Sequence, residues 1–354
     1  MSQSFMNRHL IPPFFSAFVP RRPYFIKRLT TPLATRLRAV LTGGLGFVAI
    51  MGVLLSTQAQ AIEKWEYKLD LDYGIRSDQL SWNIAGNLAG TGPNVISELS
   101  WNNVGFHEAR LGFRFIGDDT WYLKGYTSQA WGFTGTNQDS DYNGDNRSLE
   151  YSRSVADSNR SSAEDFSIAI GQQIRIDNRI GITPLVGFSS RRQKFTMTNG
   201  KQTVCNASGT PNSCNNGLGP IAGLNSTFTT HWRGPWLGLD LRLATAKRWT
   251  TYAELEYHYS YYDAEANWNL RSDLKNPKSQ GQTARGQGTH IGLGVSYALP
   301  TPNSFLNIGL KQSQYSTRAG VHNFYLANGT VASQRLNGVN WSTSSMTVGI
   351  TSQY

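Results

Sequence analysis

The stretch TNQDSDYNGDNRSLEYSRS, residues 136–154, places Asp139, Asp141 and Asp145 within seven positions and closes with Glu150. Oxygens at that density suit two chemistries. A pair of acids spaced i, i+2 can take part in catalytic proton transfer. The same oxygens can hold a hard cation, because Asp139, Asp141, Asn143, Gly144 and Glu150 satisfy D-x-[DN]-x-[DN]-G-x5-E position by position, the pattern of a calcium loop. Gly144 permits the sharp bend, Asp145 offers its carbonyl at position seven, and Glu150 closes the shell. The flanks read as strands, which excludes an EF-hand domain but leaves room for a calcium loop set on another scaffold. A third reading is a solvated loop in which Arg147 and Arg153 pair with the acids. The elements that position the segment decide among the three.

The first 61 residues carry seven cations and no acid, turn apolar from Ala39 to Leu55, and end in TQAQA. Small residues at Ala59 and Ala61 fit a signal-peptidase site, so residues 1–61 read as an export signal and 62–354 as the mature domain. The whole chain has net charge +10. Seven of its 33 basic residues precede residue 62, leaving 26 against 23 acids, or +3. The basicity belongs mainly to the signal, and a nucleic-acid partner is not expected. Cys205 and Cys214 lie in one polar segment, where an exported protein is expected to pair them as a loop disulfide.

Mature-chain strands follow a period of two. In WEYKLDLDYG, Trp65, Tyr67, Leu69, Leu71 and Tyr73 take one face and Glu66, Lys68, Asp70 and Asp72 the other. Nine further alternating segments come after it, from ARLGFRFI to WSTSSMTVGITSQY. Tight connections (GDD, DNR, AKR, PTPN) alternate with longer ones rich in Gly, Asn, Ser and Asp. Short turns on one rim and long loops on the other are the plan of an all-β, closed, antiparallel ten-stranded outer-membrane β-barrel. Closure leaves no edge and satisfies every backbone group within lipid. The mean hydropathy of −0.39 suits strands with one polar face. Trp65, Trp101, Trp121, Trp131, Trp232, Trp236, Trp249 and Trp341 are expected in interfacial girdles, and side chains are expected to fill most of a ten-stranded lumen.

SELSW (97–101), DSDY (139–142), RGPWLGL (233–239) and the strand count together resemble the omptins, outer-membrane endopeptidases of Gram-negative bacteria. DSDYNGDNRSLEYSRS also resembles the related Protochlamydia-type outer-membrane proteins, some of which are regarded as porins. The omptin resemblance implies two acidic elements at the extracellular rim: Asp-x-Asp with an aromatic in the second loop, and Asp-x-His in the fourth. Asp139, Asp141 and Tyr142 match the first. The fourth-loop region reads YYDAEANWNLRSD, so Asp263 and Glu265 stand as candidate partners and no imidazole is present. A His–Asp pair would supply the base that takes a proton from the attacking water. His258 is expected deeper, facing the lumen with Glu254 and Glu256.

The resemblance further implies outward cations that grip lipopolysaccharide phosphate, for which Arg191, Arg192, Lys194 and Arg233 are the candidates. The expected protein is a surface barrel of the outer membrane, monomeric and without a required cofactor. Its ligands are lipopolysaccharide and a peptide or small solute, and it lacks the second element of the peptidase. The alternative is a narrow porin or a structural barrel with a calcium loop. No G-x-S-x-G, P-loop or H-E-x-x-H motif points to another enzyme class.

Overall fold

The structure, a computed structural model, describes residues 65–117, 120–206 and 217–354. The segment expected to be an export signal and Cys214 lie outside the described residues. Twelve strands of six residues or more build the fold: β1 (Trp65–Ile84), β2 (Ser97–Gly117), β3 (Trp121–Gly144), β4 (Ser148–Asp157), β5 (Ser162–Gln172), β6 (Ile180–Cys205), β7 (Asn225–Ala246), β8 (Trp249–Asn267), β9 (Gln280–Ala298), β10 (Ser304–Thr317), β11 (Gly320–Tyr325) and β12 (Val331–Gln353). All neighbours pair antiparallel. β4 and β5 share one stave between β3 and β6, and β10 and β11 share another between β9 and β12. β12 pairs with β1 from Lys68↔Gln353 to Ile84↔Leu336 and closes a ring of ten staves. No backbone edge is left for lipid to solvate.

The alternation read in β1 holds: Leu69, Leu71, Tyr73 and Ile75 point outward and are exposed, whereas Lys68, Arg76 and Asp78 are buried inside. Leu237, Leu255, Leu293, Leu310, Met346 and Ile350 continue the outer apolar surface on other staves. With outward positions at every second residue, about five of them in succession span the roughly 25 Å of hydrocarbon. Polar residues then take over, as at Ser77 and Gln79 on β1 and Gln312 and Gln314 on β10. Strands of 19 to 26 residues, such as β8 and β6, exceed the 9–11 needed to span, so the barrel extends beyond the membrane on its extracellular side.

The tryptophans do not all lie in the expected girdles. Trp121, Trp131 and Trp249 are exposed on the outer surface, as girdle residues should be. Trp101, Trp232, Trp236 and Trp341 are at most 1% exposed and fill the lumen instead. Trp101, Trp232 and Trp341 join Trp82, Phe106, Phe195 and Phe228 in a stacked plug in which Trp82–Phe228, Trp101–Phe228 and Trp101–Phe195 centroids lie 5.0–5.5 Å apart, whereas Trp236 packs in a separate cluster with Ile116, Tyr122, Ala169 and Leu185. Beneath the plug the lumen is ionic, with Arg76 bonded to Asp78 and Asp165 at 2.7 and 2.8 Å and Lys124 to Asp240 at 2.7 Å. The expected filling of the bore is therefore met by an aromatic layer above a charged one.

Candidate acidic site at the barrel mouth

The acidic segment is not a loop. Residues 136–144 belong to β3 and 148–157 to β4, and they pair as a hairpin joined by the turn Asp145–Arg147. A bulge sets which way it faces. In the lower part of β3 the buried members are even, Tyr122, Ser128 and Ala130, but past the irregularity at Gly132–Gly135 it is the odd residues that pair with the buried Trp101 and Leu99 of β2. Gly135 has φ +141°, and on β2 the matching irregularity includes Asn103 at φ 51°. That switch turns Asn137, Asp139 and Asp141 inward, opposite Trp101, Leu99 and Ser97 of β2, residues that share a face because cross-strand partners do.

Asp139 and Asp141 sit just above the plug. Asp139 Oδ1 is closed off from solvent and has no hydrogen-bond partner. Burial pushes the Asp139 carboxyl well above its ordinary value, and the neighbouring Asp141 pushes it further; Arg271 and the Ser97 hydroxyl oppose this. Asp141 is raised as well, chiefly by burial, against Ser97, Arg271 and Ser152. The pair thus retains protons where free carboxylates would have lost them.

Arg271 belongs to the site although no sequence motif contains it. It reaches the acids from the segment after β8 and is bound to Asp273 at 2.6 and 2.7 Å. That segment is fastened over the mouth through Lys275 N–H to the Tyr325 carbonyl at 2.7 Å and Ala327 N–H to the Asp273 carbonyl at 2.9 Å. Only its charge could have marked Arg271, and several exposed arginines share that signal.

The fourth-loop acids do not join the pair. Inward positions at the end of β8 are Tyr262, Ala264 and Ala266, all buried in the same apolar cluster as Leu99 and Trp101. Asp263 and Glu265 alternate with them and therefore point outward. Asp263 lies 3.2 Å from Arg233 and 3.9 Å from His231, and Glu265 pairs with Lys278. The expectation that these acids complete a site with Asp139 and Asp141 is overturned by strand parity. His258 is where it was expected: fully buried in the lumen, 3.0 Å from Glu256 and 3.1 Å from Ser189.

The calcium set is also dispersed. A cation needs oxygens converging from a wrapped loop, whereas the ladder spreads these residues along a hairpin. Asp145 Oδ1 accepts the Asn94 N–H at 2.7 Å. Glu150 pairs with Tyr142, hence on the opposite face from Asp141, and is held by Arg153 Nε at 2.7 Å. Among the described residues no group of three acids, histidines or cysteines is gathered closely enough to hold a metal. Arg153–Glu150 at 2.7 Å matches the internal pairing expected of the segment, whereas Arg147 reaches out of it to Glu98 of β2 at 3.0 Å.

Of the cations assigned to lipid, Arg191 faces inward, is 3% exposed and lies 3.8 Å from Asp165, so it cannot reach a lipid phosphate. Arg192, Lys194 and Arg233 do point outward. Arg285 joins them: Tyr261 is the cross-strand neighbour of both Arg233 and Arg285, and the Arg285 guanidinium lies 5.6 Å from the Tyr261 ring. Exposed Phe188, Tyr259 and Tyr261 mark the rim of the apolar band beneath these cations. Cys205 ends β6, and pairing with Cys214 falls outside the described residues.

A family model described as Protochlamydia outer membrane protein matches residues 70–354. A search among curated proteins finds no match. Among solved structures, the outer membrane protease OmpT from Escherichia coli superimposes with a TM-score of 0.67 at 14% identity, covering 84% of this chain and all of that one. The translocator domain of autotransporter NalP from Neisseria meningitidis aligns more loosely, with a TM-score of 0.33 at 9% identity over 91% of this chain and 98% of that one. Neisserial surface protein A gives 0.27 at 10% identity over 82% and 97%.

Proposed function

The chain belongs to the Protochlamydia outer membrane protein family, an outer-membrane barrel with the fold of OmpT, and from that premise we propose that it is a closed surface barrel anchored by lipopolysaccharide rather than a peptidase or an open porin. The observation that carries this reading is the pair of methyl groups, Ala264 and Ala266, facing inward at the end of β8. Hydrolysis by a water needs a base on hand with a pKa near the working pH. The inward wall of β8 offers none there, so Asp139 and Asp141, whose carboxyls burial raises above their ordinary values, face methyl groups instead of a partner base. The plug argues in the same direction against conduction, since Trp82, Trp101, Phe195 and Phe228 are 0–2% exposed across the bore.

The outward arginines supply the anchoring surface. Arg192, Arg233 and Arg285, with Lys194, stand just beyond the aromatic rim, at the height of lipid headgroups. A guanidinium holds its charge at every pH and presents a planar fork to phosphate oxygens. The test is lipopolysaccharide co-purification combined with planar-bilayer recording. The reading predicts bound lipopolysaccharide that is lost from Arg192→Ala/Arg233→Ala/Arg285→Ala and a silent bilayer; discrete conductance steps from the unaltered barrel would reject closure.

A further inference from the structure

The ionic half of the lumen contains a feature that neither the plug nor the anchoring surface uses. A cavity of about 150 Å³ lies in its periplasmic part, between Lys68, Arg114, Arg242 and the residues facing them. Arg110, Tyr126 and Lys311 line this cavity and also a deeper chamber of about 20 Å³, so the two are neighbours across those three side chains. The chamber admits a single occupant of about the size of a water molecule, which needs roughly 10–15 Å³ by the same measure.

Its cations are unequally partnered. Arg76 is fully partnered, with Asp78 at 2.7 Å, Asp165 at 2.8 Å and Glu108 at 3.5 Å. Arg191 is not. It is 3% exposed, its nearest carboxylate contact is Asp165 at 3.8 Å, and its Nε and Nη2 have no partner. Arg110 stacks 3.4 Å from the Tyr126 ring, and among the described residues neither it nor Lys311 has an ion pair. Beside these four cations the chamber wall holds Glu108 and Asp165, with Asp78 behind Arg76, and Asp72, Glu254 and Glu256 face Arg110 and Lys311 from the outer cavity. The buried Thr343 hydroxyl is a further unpartnered donor, and Asp165 Oδ1 is the one unpartnered acceptor of the chamber wall.

Unpaired buried charge is costly, and donors without acceptors add to the cost. We propose that the chamber binds one small monovalent anion, a halide such as chloride, held by Arg191, Arg110 and Lys311 and loaded from the periplasmic cavity. Size excludes phosphate or sulfate, and the weakly hydrated guanidinium suits an ion that sheds its water easily. The halide accepts from Arg191 Nε and Nη2 and supplies the negative charge that Arg191 lacks at contact distance, which a water in the same place does not.

Bromide provides the test. Crystals of the refolded barrel soaked in bromide are expected to give one anomalous peak in the chamber, and the melting temperature is expected to rise with bromide or chloride over sulfate at matched ionic strength. Arg191→Gln and Lys311→Met should each remove both signals. Lys311 holds no ion pair, so Lys311→Met keeps every salt bridge and decides the matter even if the Arg191 variant fails to fold. No peak together with equal melting in all three salts would mean water alone and overturn the proposal, as would a peak that survives Lys311→Met, the mark of an adventitious ion only.

Discussion

Replacing Asp139 with asparagine tests the electrostatics of the barrel mouth, because it keeps the shape and removes the titration. In the unfolded chain the carboxyl ionises at its ordinary value near 4. In the folded barrel, burial and Asp141 hold it well above that value. Between those limits the folded state binds more protons than the unfolded state, so stability falls as pH rises. The slope contributed by one group reaches about 1.4 kcal/mol per pH unit. Below pH 4 both states are protonated and the penalty is absent. Asp139→Asn removes the dependence, and its advantage over the unaltered protein should be near zero at pH 4 and grow with pH. At pH 8 we expect about 1–3 kcal/mol, the cost of burying an unpartnered polar oxygen such as Oδ1. Hydrogen exchange of the β3–β4 hairpin, followed from pH 4 to 8 in both proteins, reads this locally. A constant difference across the range, or an asparagine variant that is less protected at pH 8, would refute the assignment of a raised carboxyl.

The same geometry has other consequences. Arg271→Met removes the cation that lowers both acids and should steepen the loss of hairpin protection with rising pH. Burial pushes the His322 imidazole down to about 3. The unfolded chain takes up that proton from about pH 6.5 downward and the folded one does not. The stability His322 provides is therefore complete above pH 6.5 and is lost as pH falls toward 3; His322→Gln should abolish that part of the acid sensitivity of the β11–β12 hairpin, read by limited proteolysis at pH 7.5 and 5. Trp82→Ala should cost about 3–5 kcal/mol in urea unfolding, and Trp82→Ala/Phe228→Ala should turn a silent bilayer into a conducting one. Each of Arg192→Ala, Arg233→Ala and Arg285→Ala should weaken lipopolysaccharide binding by about 1.5–3 kcal/mol, the usual value of a charge-assisted hydrogen bond, whereas unchanged affinity in all three would remove that surface from the account.

Much of this barrel is legible in the alternation of its strands. Leu69, Leu71 and Tyr73 against Lys68 and Asp70 fix β1 and its two faces, and Trp82 belongs to the same even-numbered inward set. Carrying that parity to the end of β1 places Trp82 in the lumen. The same bookkeeping fails at Trp101 and Asp139, because bulges on β2 and β3 invert parity and their positions depend on pairing between strands. Residues 139–150 carry the correct oxygens for a calcium loop, but a pattern of one-letter codes does not distinguish a wrapped loop from a ladder. SSRRQK reads as a block of outward cations, though adjacent strand residues must face opposite ways, which sends Arg191 inward and Arg192 outward. Arg271 and Arg285 are brought to their sites by contacts between distant staves, which no local pattern records.

The most direct test of the central claim is cleavage of a peptide library by the refolded barrel with lipopolysaccharide, run beside Asp139→Ala/Asp141→Ala. A closed barrel with Ala264 and Ala266 facing inward at the end of β8 predicts that the peptides stay intact with both proteins. Cleavage by the unaltered barrel that disappears in the double variant would contradict the account and show that the two aspartates are catalytic with a base supplied from elsewhere in the mouth.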